Sequence, residues 1–429
     1  VADGVDSPAS AFQREPTLVH ADGVYVGLDE WRYLDDRALS ASAFKKLRAN
    51  APDWWWEHHS NPLYTAMASD ARAMGTAVHK AVLEGMDAYE AAYCVEPDKG
   101  QHPAALDTAD DFRNWLRQRN EQIQATSDWQ PPRKLPATGD AKALADLIAS
   151  EIAAHDLPPL RGDEKRPDLL AWIRARNERI AEDHPPPPAV HPLNGAKDEL
   201  VERVLEIDPR APVWARIADE LIAGRQVLKP REDMYVRLVE GFLRRDPQYA
   251  KLLSGGLPEL TVFWTEEQES GPPVRMKSRI DYLRKTAIVD LKTFGRSYER
   301  GLTRGVLADR VGHGDTMQAV QAARAVEAAQ GFLAEGKVHG APEQIALLEK
   351  ILPGEKTFVW LCVRVFGAPT ATAPRFDKGT IPWGIACSHI EEAIAEFKHY
   401  RDRFGDAMWI RSDGVHQPDI SDWPSWMMG

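Results

Sequence analysis

The chain has 429 residues, 43% apolar and 28% charged, and its 65 acidic residues outnumber 53 basic ones for a net charge of −12. That length fits two or three domains, the composition excludes a wholly disordered chain, and no run nears the ~18 apolar residues of a membrane span. The acidic excess argues against a nucleic-acid partner at the scale of the whole chain, because phosphate binders carry basic faces; binding, however, is local. Three scattered cysteines, Cys94, Cys362 and Cys387, without a CxxC, argue against a cysteine zinc site, an iron–sulfur cluster and a disulfide framework. They fit a reducing compartment, and with no signal pattern in residues 1–21 the expected location is the cytoplasm, with no membrane partner.

Residues 1–38 read as a polar leader containing a short strand, Val24-Tyr25-Val26. A helix then starts at Leu39-Ser40-Ala41-Ser42, where a hydroxyl can cap it, and is expected to end at Asn50-Ala51-Pro52. The run Trp54-Trp55-Trp56 reads as core filling; a base-stacking platform is the sharper alternative. A second helix is expected over 66–84, from the spacing of Met74, Val78 and Val82.

Residues 104–225 have a different texture, polar and helical with proline clusters. They contain a repeat: Trp115-Leu116-Arg117-Gln118-Arg119-Asn120-Glu121 returns 57 residues later as Trp172-Ile173-Arg174-Ala175-Arg176-Asn177-Glu178. Each copy continues through prolines (Pro131-Pro132; Pro185 to Pro188) to a Gly/Ala/Lys helix start at Gly139 or Gly195. The pattern predicts two tandem helix–linker–helix modules of about 55 residues inserted in a larger domain. After a helix over 231–253, strands are expected at 260–264, 276–283, 287–293 and 357–365, with helices at 316–330 and 389–402. This order predicts an α/β fold: a mixed central sheet flanked by helices, built from 39–103 and 226–429 around the insertion.

The chemistry concentrates in one hairpin. Centring it on Lys285-Thr286 sets Asp281 opposite Asp290, with Lys292 two residues further along the Asp290 face. Two carboxylates ~5 Å apart on an apolar strand repel unless a cation lies between them. A divalent metal suits Asp-x8-Asp-x-Lys in phosphodiester hydrolysis, with Lys292 orienting the nucleophile or stabilising developing charge. The same residues also read as a buried salt bridge from Lys292 to one Asp. His79, four residues after Gly75 on a helix face, is a candidate ligand or a structural histidine. Glu259 is a third candidate carboxylate or a surface residue. Gln318 and Gln321 could reach a phosphate or metal-bound water, or simply face solvent.

The series Gly75-Thr76-Ala77-Val78-His79 with Leu83-Glu84-Gly85, Glu259 to Trp264, Arg279-Ile280-Asp281, Val289-Asp290-Leu291-Lys292-Thr293 and a Gln-bearing helix resembles the PD-(D/E)xK nuclease superfamily. More narrowly, it resembles the RecE-type exonuclease VIII and RecB-like branch. The opening Leu39 to Ser42 helix, the aromatic run and Asn61-Pro62 belong to the same resemblance. It implies a restriction-endonuclease-like core and a Mg²⁺-dependent (or Mn²⁺-dependent) exonuclease acting on double-stranded DNA ends in phage-type recombination. The implied site is His79, Asp281, Asp290 and Lys292, with Glu259 as an auxiliary metal ligand and Gln318 as an auxiliary catalytic residue. A single-strand annealing recombinase and a homo-oligomer are the implied partners. The downstream Tyr that usually accompanies the Gln is missing here, where Ala322, Ala323 and Arg324 follow. The inserted repeats resemble SAP or helix-extended-helix DNA-binding units, with a spacer or protein contact as the alternative.

Between Gly271 and Arg310 ten basic residues face four acidic ones. This basic stretch makes Arg279, Lys277, Arg296 and Arg300, with Gln321, the expected DNA contacts. Two competing readings keep the fold: a non-catalytic DNA-binding or scaffold protein, and an endonuclease of DNA processing or defence.

Overall fold

The computed structural model describes residues 19–58, 61, 70–155, 159–269, 271–298, 301–412 and 418–420. Pro97–Gly224 form one compact unit and the sequence on either side forms the other. Among the described residues, no helix is long and apolar enough to cross a membrane.

The strands in chain order are β1 (Gly23–Tyr25), β2 (Tyr93–Val95), β3 (Gln226–Leu228), β4 (Leu257–Glu266), β5 (Val274–Leu283), β6 (Ala287–Phe294), β7 (Val338–His339), β8 (Thr357–Arg364), β9 (Ala371–Thr372) and β10 (Arg375–Phe376). The main sheet runs β10-β8-β6-β5-β4-β1-β7, with β9 added beside β8. Within it β6–β8 and β1–β7 are parallel and the other pairs antiparallel. The small parallel pair β2–β3 brackets the point where the insertion leaves and returns. Both faces of the sheet are covered, so β6 and β8 are mostly apolar on both faces, with Asp290 and Lys292 the charged exceptions within β6. One face packs Val262, Met276, Ile288 and Trp360 against the helices Ala41–Trp56, Asp315–Ala334 and Ile381–Phe404. The other packs Val289, Leu291, Leu361 and Val363 against Asp70–His79 and Pro230–Arg245. This mixed α/β sandwich is the expected fold class. Phe44, fully buried, is the kind of anchor whose truncation costs ~3–5 kcal/mol.

Several helix boundaries differ from expectation, each for a local reason. Ser40 caps the first helix as predicted, accepting from the Ala43 amide. Asn50-Ala51-Pro52 does not end it. Only Asn50 leaves helical geometry (φ −164°, ψ 103°), and the helix restarts with Pro52 in its first turn, where a missing N–H leaves no bond unmade. The restart buries Trp54 and Trp55 and leaves Trp56 exposed, which favours the core-filling reading. Of the expected 66–84 helix, the part before Asp70 and the neighbouring Pro62 lie outside the described residues. The remainder is α-helical to His79 and then a π-helical turn, Lys80–Glu84. The 231–253 helix breaks at Asp246-Pro247, where Asp246 caps a new helix. The helix Leu302–Gly312 was not expected.

The inserted unit holds four main helices, Ala109–Thr126, Ala141–His155, Arg166–Asp183 and Lys197–Ile207. The expectation of two tandem modules is corrected: the repeats are interleaved. The first helix of copy one packs on the second helix of copy two, through Phe112, Leu116, Leu200 and Val204. The two middle helices pack on each other through Leu144, Ile148, Leu169 and Ile173. Two equivalent asparagines fix this exchange. Asn120 donates to the His191 carbonyl at 2.9 Å and accepts from the His191 amide at 2.7 Å. Asn177 does the same at Leu135, at 2.9 and 2.7 Å. Each clamps the extended segment of the other copy. The unit carries 23 acidic and 17 basic residues, a charge balance that disfavours phosphate binding.

Candidate active site

The site is a break in the sheet. The β4–β5 pairing keeps one register from Leu257↔Leu283 to Glu266↔Val274, but the register position of Glu259 against Asp281 is left unpaired. On the other side, β5 pairs with β6 only at Tyr282↔Val289 and Leu283↔Ile288. The predicted register is therefore right, but the ladder stops at the two aspartates instead of carrying them as a cross-strand pair. Glu259 has φ +54°, left-handed geometry that costs a non-glycine residue roughly 1–2 kcal/mol. The apolar alternation slips at the same level. Leu257 and Leu283 share a core cluster with Leu260, Val262, Met276 and Ile280, which strict period-two alternation forbids.

The Asp281 carboxylate fills the break and accepts the Leu291 amide at 2.8 Å. Burial, then the neighbouring Asp290 charge, push Asp281 up to about 7. Asp290 is 3% exposed. Its Oδ1 accepts from Lys292 Nζ at 2.8 Å and from Gln318 Nε2 at 2.7 Å. Lys292 Nζ is also 2.7 Å from Asp290 Oδ2, but off the angle of a hydrogen bond, so Oδ2 is a buried acceptor without one. For Lys292 the downward pull of burial is overcome by Asp290, Asp281 and Asp315, and its pKa is raised. His79 ends its α-helix with Nδ1 3.7 Å from Asp281 Oδ2. Burial, then Lys292, lower its pKa, so it is neutral at pH 7. The π turn that follows places it at a helix irregularity of a kind that recurs at functional sites. Gly75 is not required by packing: a Cβ there would meet Thr293 Oγ1 at an ordinary 3.6 Å.

A cleft of about 780 Å³ opens on Asp281, His79, Glu259 and Arg279. Asp29, Glu30 and Glu84 also line it, and among the described residues Arg279 and Lys80 bring its cationic side chains. The basic stretch does not give the cleft a basic field. Arg275, Lys277 and Arg279 alternate along β5, and each donates to backbone carbonyls of the 20–36 segment: Arg275 to His20 (2.6 Å), Lys277 to Tyr33 (2.7 Å) and Asp36 (2.6 Å), Arg279 to Leu28 (2.8 Å). Lys277 is 6% exposed and its burial lowers its pKa to about 8; as a DNA contact it is corrected to an internal anchor. Gln321, 1% exposed, lies in the core near the Leu39 and Lys277 carbonyls, so it is not a DNA contact either, and Gln318 is the glutamine that reaches the site. Arg279 lines the cleft but is paired with Glu259. Burial, then Asp281, raise the Glu259 pKa despite Arg279. Arg296 is exposed and paired with Asp309. Arg300 lies outside the described residues.

The sequence reading missed a neighbouring group. Asp315, one turn before Gln318 and 4% exposed, takes Lys45 Nζ at 2.5 Å and Arg310 Nη1 at 2.9 Å. Lys45 and Asp315 are 270 residues apart, and no local pattern marks the pair.

Among the described residues, no three His, Cys, Asp or Glu side chains form a ready metal cage. A hard divalent ion such as Mg²⁺ needs less, one or two carboxylates with water and substrate oxygens completing its shell. The oxygens of Asp281 and Asp290 fit that requirement: burial, then the Asp290 charge, raise the Asp281 pKa to about 7, and Asp290 keeps a buried oxygen that accepts no hydrogen bond, with Lys292 Nζ 2.7 Å away.

No protein family and no curated protein matches the chain. Among solved structures it is similar to a crystal structure described as a putative exonuclease from Eubacterium rectale, at 14% identity and a TM-score of 0.31, covering 57% of this chain and 82% of the other. A likeness at that level carries no functional argument.

Proposed function

We propose that this chain is a metal-dependent deoxyribonuclease of the PD-(D/E)xK type, an exonuclease of the RecE-like branch acting on duplex DNA ends with Mg²⁺. One observation carries the reading. Where the β5–β6 ladder ends, two carboxylates, a lysine and a glutamine meet, so that two buried acids share one lysine. A structural salt bridge needs one carboxylate for its lysine; here a second, Asp281, is buried beside the pair with its charged form disfavoured.

Asp281 and Asp290 would hold the ion, with Glu259 or His79 at its edge. Bound there, it would neutralise phosphate charge and lower the pKa of an attacking water. The protein groups divide the remaining work. The Leu291 amide orients the Asp281 carboxylate. Gln318 fixes Asp290 from the helix behind it. Lys292, held protonated by its carboxylate neighbours, orients the water and stabilises charge developing on the phosphate as a cation rather than as a base. In an acidic cleft, a DNA strand needs such cations to approach at all. Cytoplasmic location and an annealing recombinase as partner belong to the same proposal.

The test is digestion of linear and circular duplex DNA with Mg²⁺ by the wild type and Lys292→Ala. Cleavage of linear DNA alone, lost in the variant, is the expected result. Cleavage of circles would make the enzyme an endonuclease, and no cleavage of any DNA by the wild type would leave a binding or scaffold protein.

A further inference from the structure

One guanidinium ties together the two irregular pieces of backbone that flank the carboxylate pair. His79 ends its α-helix and leads directly into the π turn Lys80–Glu84, which stops at Gly85, φ +98°. On the other side, Glu259 is left-handed near the start of β4, and the chain enters that strand from the helix Pro247–Leu252, capped at Leu253. Arg244 reaches both. Its Nη2 donates to the Val82 carbonyl at 2.8 Å and its Nη1 to the Leu253 carbonyl at 3.0 Å. Its Nε faces Glu240 at 3.4 Å, one turn back on the same helix, which aims the fork. Val82 and Leu253 are 1% and 3% exposed and stand at helix ends, where carbonyls have no amide ahead of them. A π turn is rare and recurs at functional sites; this one is held from outside its own helix, by a residue 162 positions away. Arg245, next in the chain, is exposed and takes no part in the tie.

We propose that Arg244 is a positioning residue of the active site. Through the Val82 and Leu253 carbonyls it fixes the π turn against the entry of β4, and so sets His79 and Glu259 at the spacing at which both can flank one divalent ion on Asp281 and Asp290. This role rests on the nuclease reading for the ion and adds the group that holds the ion's outer neighbours in place. A guanidinium suits the task because its rigid fork serves two carbonyls at once from fixed directions, which the single ammonium of a lysine does not do.

The test reads metal binding and geometry in full-length protein, with Arg244→Met and Arg244→Gln as variants and Arg245→Gln as control. Mn²⁺, followed by the electron-spin signal of the free ion, should bind both Arg244 variants about tenfold more weakly than the wild type, the low end for a group acting behind a ligand, and the control within about twofold. In a His79→Gln background, Arg244→Met should add less than about twofold, because the spacing then has no histidine to act on. Without metal at about pH 8, the His79 ring signal, assigned in labelled protein from its loss in His79→Gln, should move in both Arg244 variants and stay in place in the control. Melting curves establish that the variants fold; if one does not, the other carries the test. Folded variants that bind Mn²⁺ like the wild type, or that leave the His79 signal unmoved, would overturn the role, and so would a loss that persists in full without His79. A wild type that cleaves no DNA, while the Arg244 variants still lose Mn²⁺ and shift His79, would overturn the nuclease reading and leave the role standing.

Discussion

The inserted helical unit and the break in the central sheet treat buried polar groups in opposite ways. In the insertion, Asn120 and Asn177 each spend their amide on both the N–H and the C=O of one extended residue, so the polar group is matched bond for bond. In the sheet, Asp290 keeps an oxygen without a hydrogen bond, Asp281 is pushed toward neutrality, and Glu259 sits in left-handed backbone. The first arrangement holds an architecture together. The second is held in place by the surrounding α/β sandwich at a cost in stability, which marks it as the place where chemistry is expected.

The sharpest way to break this contrast is to remove a group from each side. Asp290→Asn should lower the rate of linear-duplex digestion by ~10³-fold or more, about 4 kcal/mol of transition-state stabilisation, while its thermal unfolding stays close to that of the wild type. Asn177→Ala should do the reverse. It strands the Leu135 N–H and C=O and should cost the insertion about 2 kcal/mol, read as an earlier calorimetric transition, with the cleavage rate of the folded enzyme unchanged. A cleavage loss from Asn177→Ala, or a purely destabilising Asp290→Asn, would erase the distinction.

Acid should act on the sheet side alone. On the proposed reading Asp281 must be ionised to hold the ion, and burial and Asp290 raise it to about 7 without metal, so with Mg²⁺ below saturation cleavage should rise up to tenfold per pH unit below about 7 and level off above it. A flat rate between pH 5.5 and 8 would contradict this. Gly75→Ala gives the smallest effect. With only an ordinary contact to make, it should stabilise its helix by ~0.5–1 kcal/mol and change the cleavage rate less than threefold.

The same contrast explains what the sequence made legible. The hairpin register was readable because turn length and strand period leave little choice, and it placed Asp281 level with Asp290. That the ladder would stop there was not readable, since it depends on Glu259 turning left-handed on the next strand. The basic alternation Arg275, Lys277, Arg279 looked like a phosphate-binding face. Its acceptors are carbonyls of the 20–36 segment, 241 to 255 residues distant in sequence, and no local pattern announces them. The repeat was plain, but its interleaving was not, because two copies of one helix pair bury the same apolar faces whichever partners they choose.

The most direct test of the central claim is Asp281→Asn, followed by both cleavage and thermal stability at pH 5 and pH 8. The asparagine Oδ1 can still accept the Leu291 amide, so only the charge is lost. A folded-state pKa above the unfolded value means the native protein gives up stability as pH rises from about 4 to about 7. The account predicts that Asp281→Asn abolishes cleavage yet is more stable than the wild type at pH 8, on the order of 2 kcal/mol, with the difference shrinking toward pH 5. A variant that is less stable at pH 8 and still cleaves DNA would contradict it.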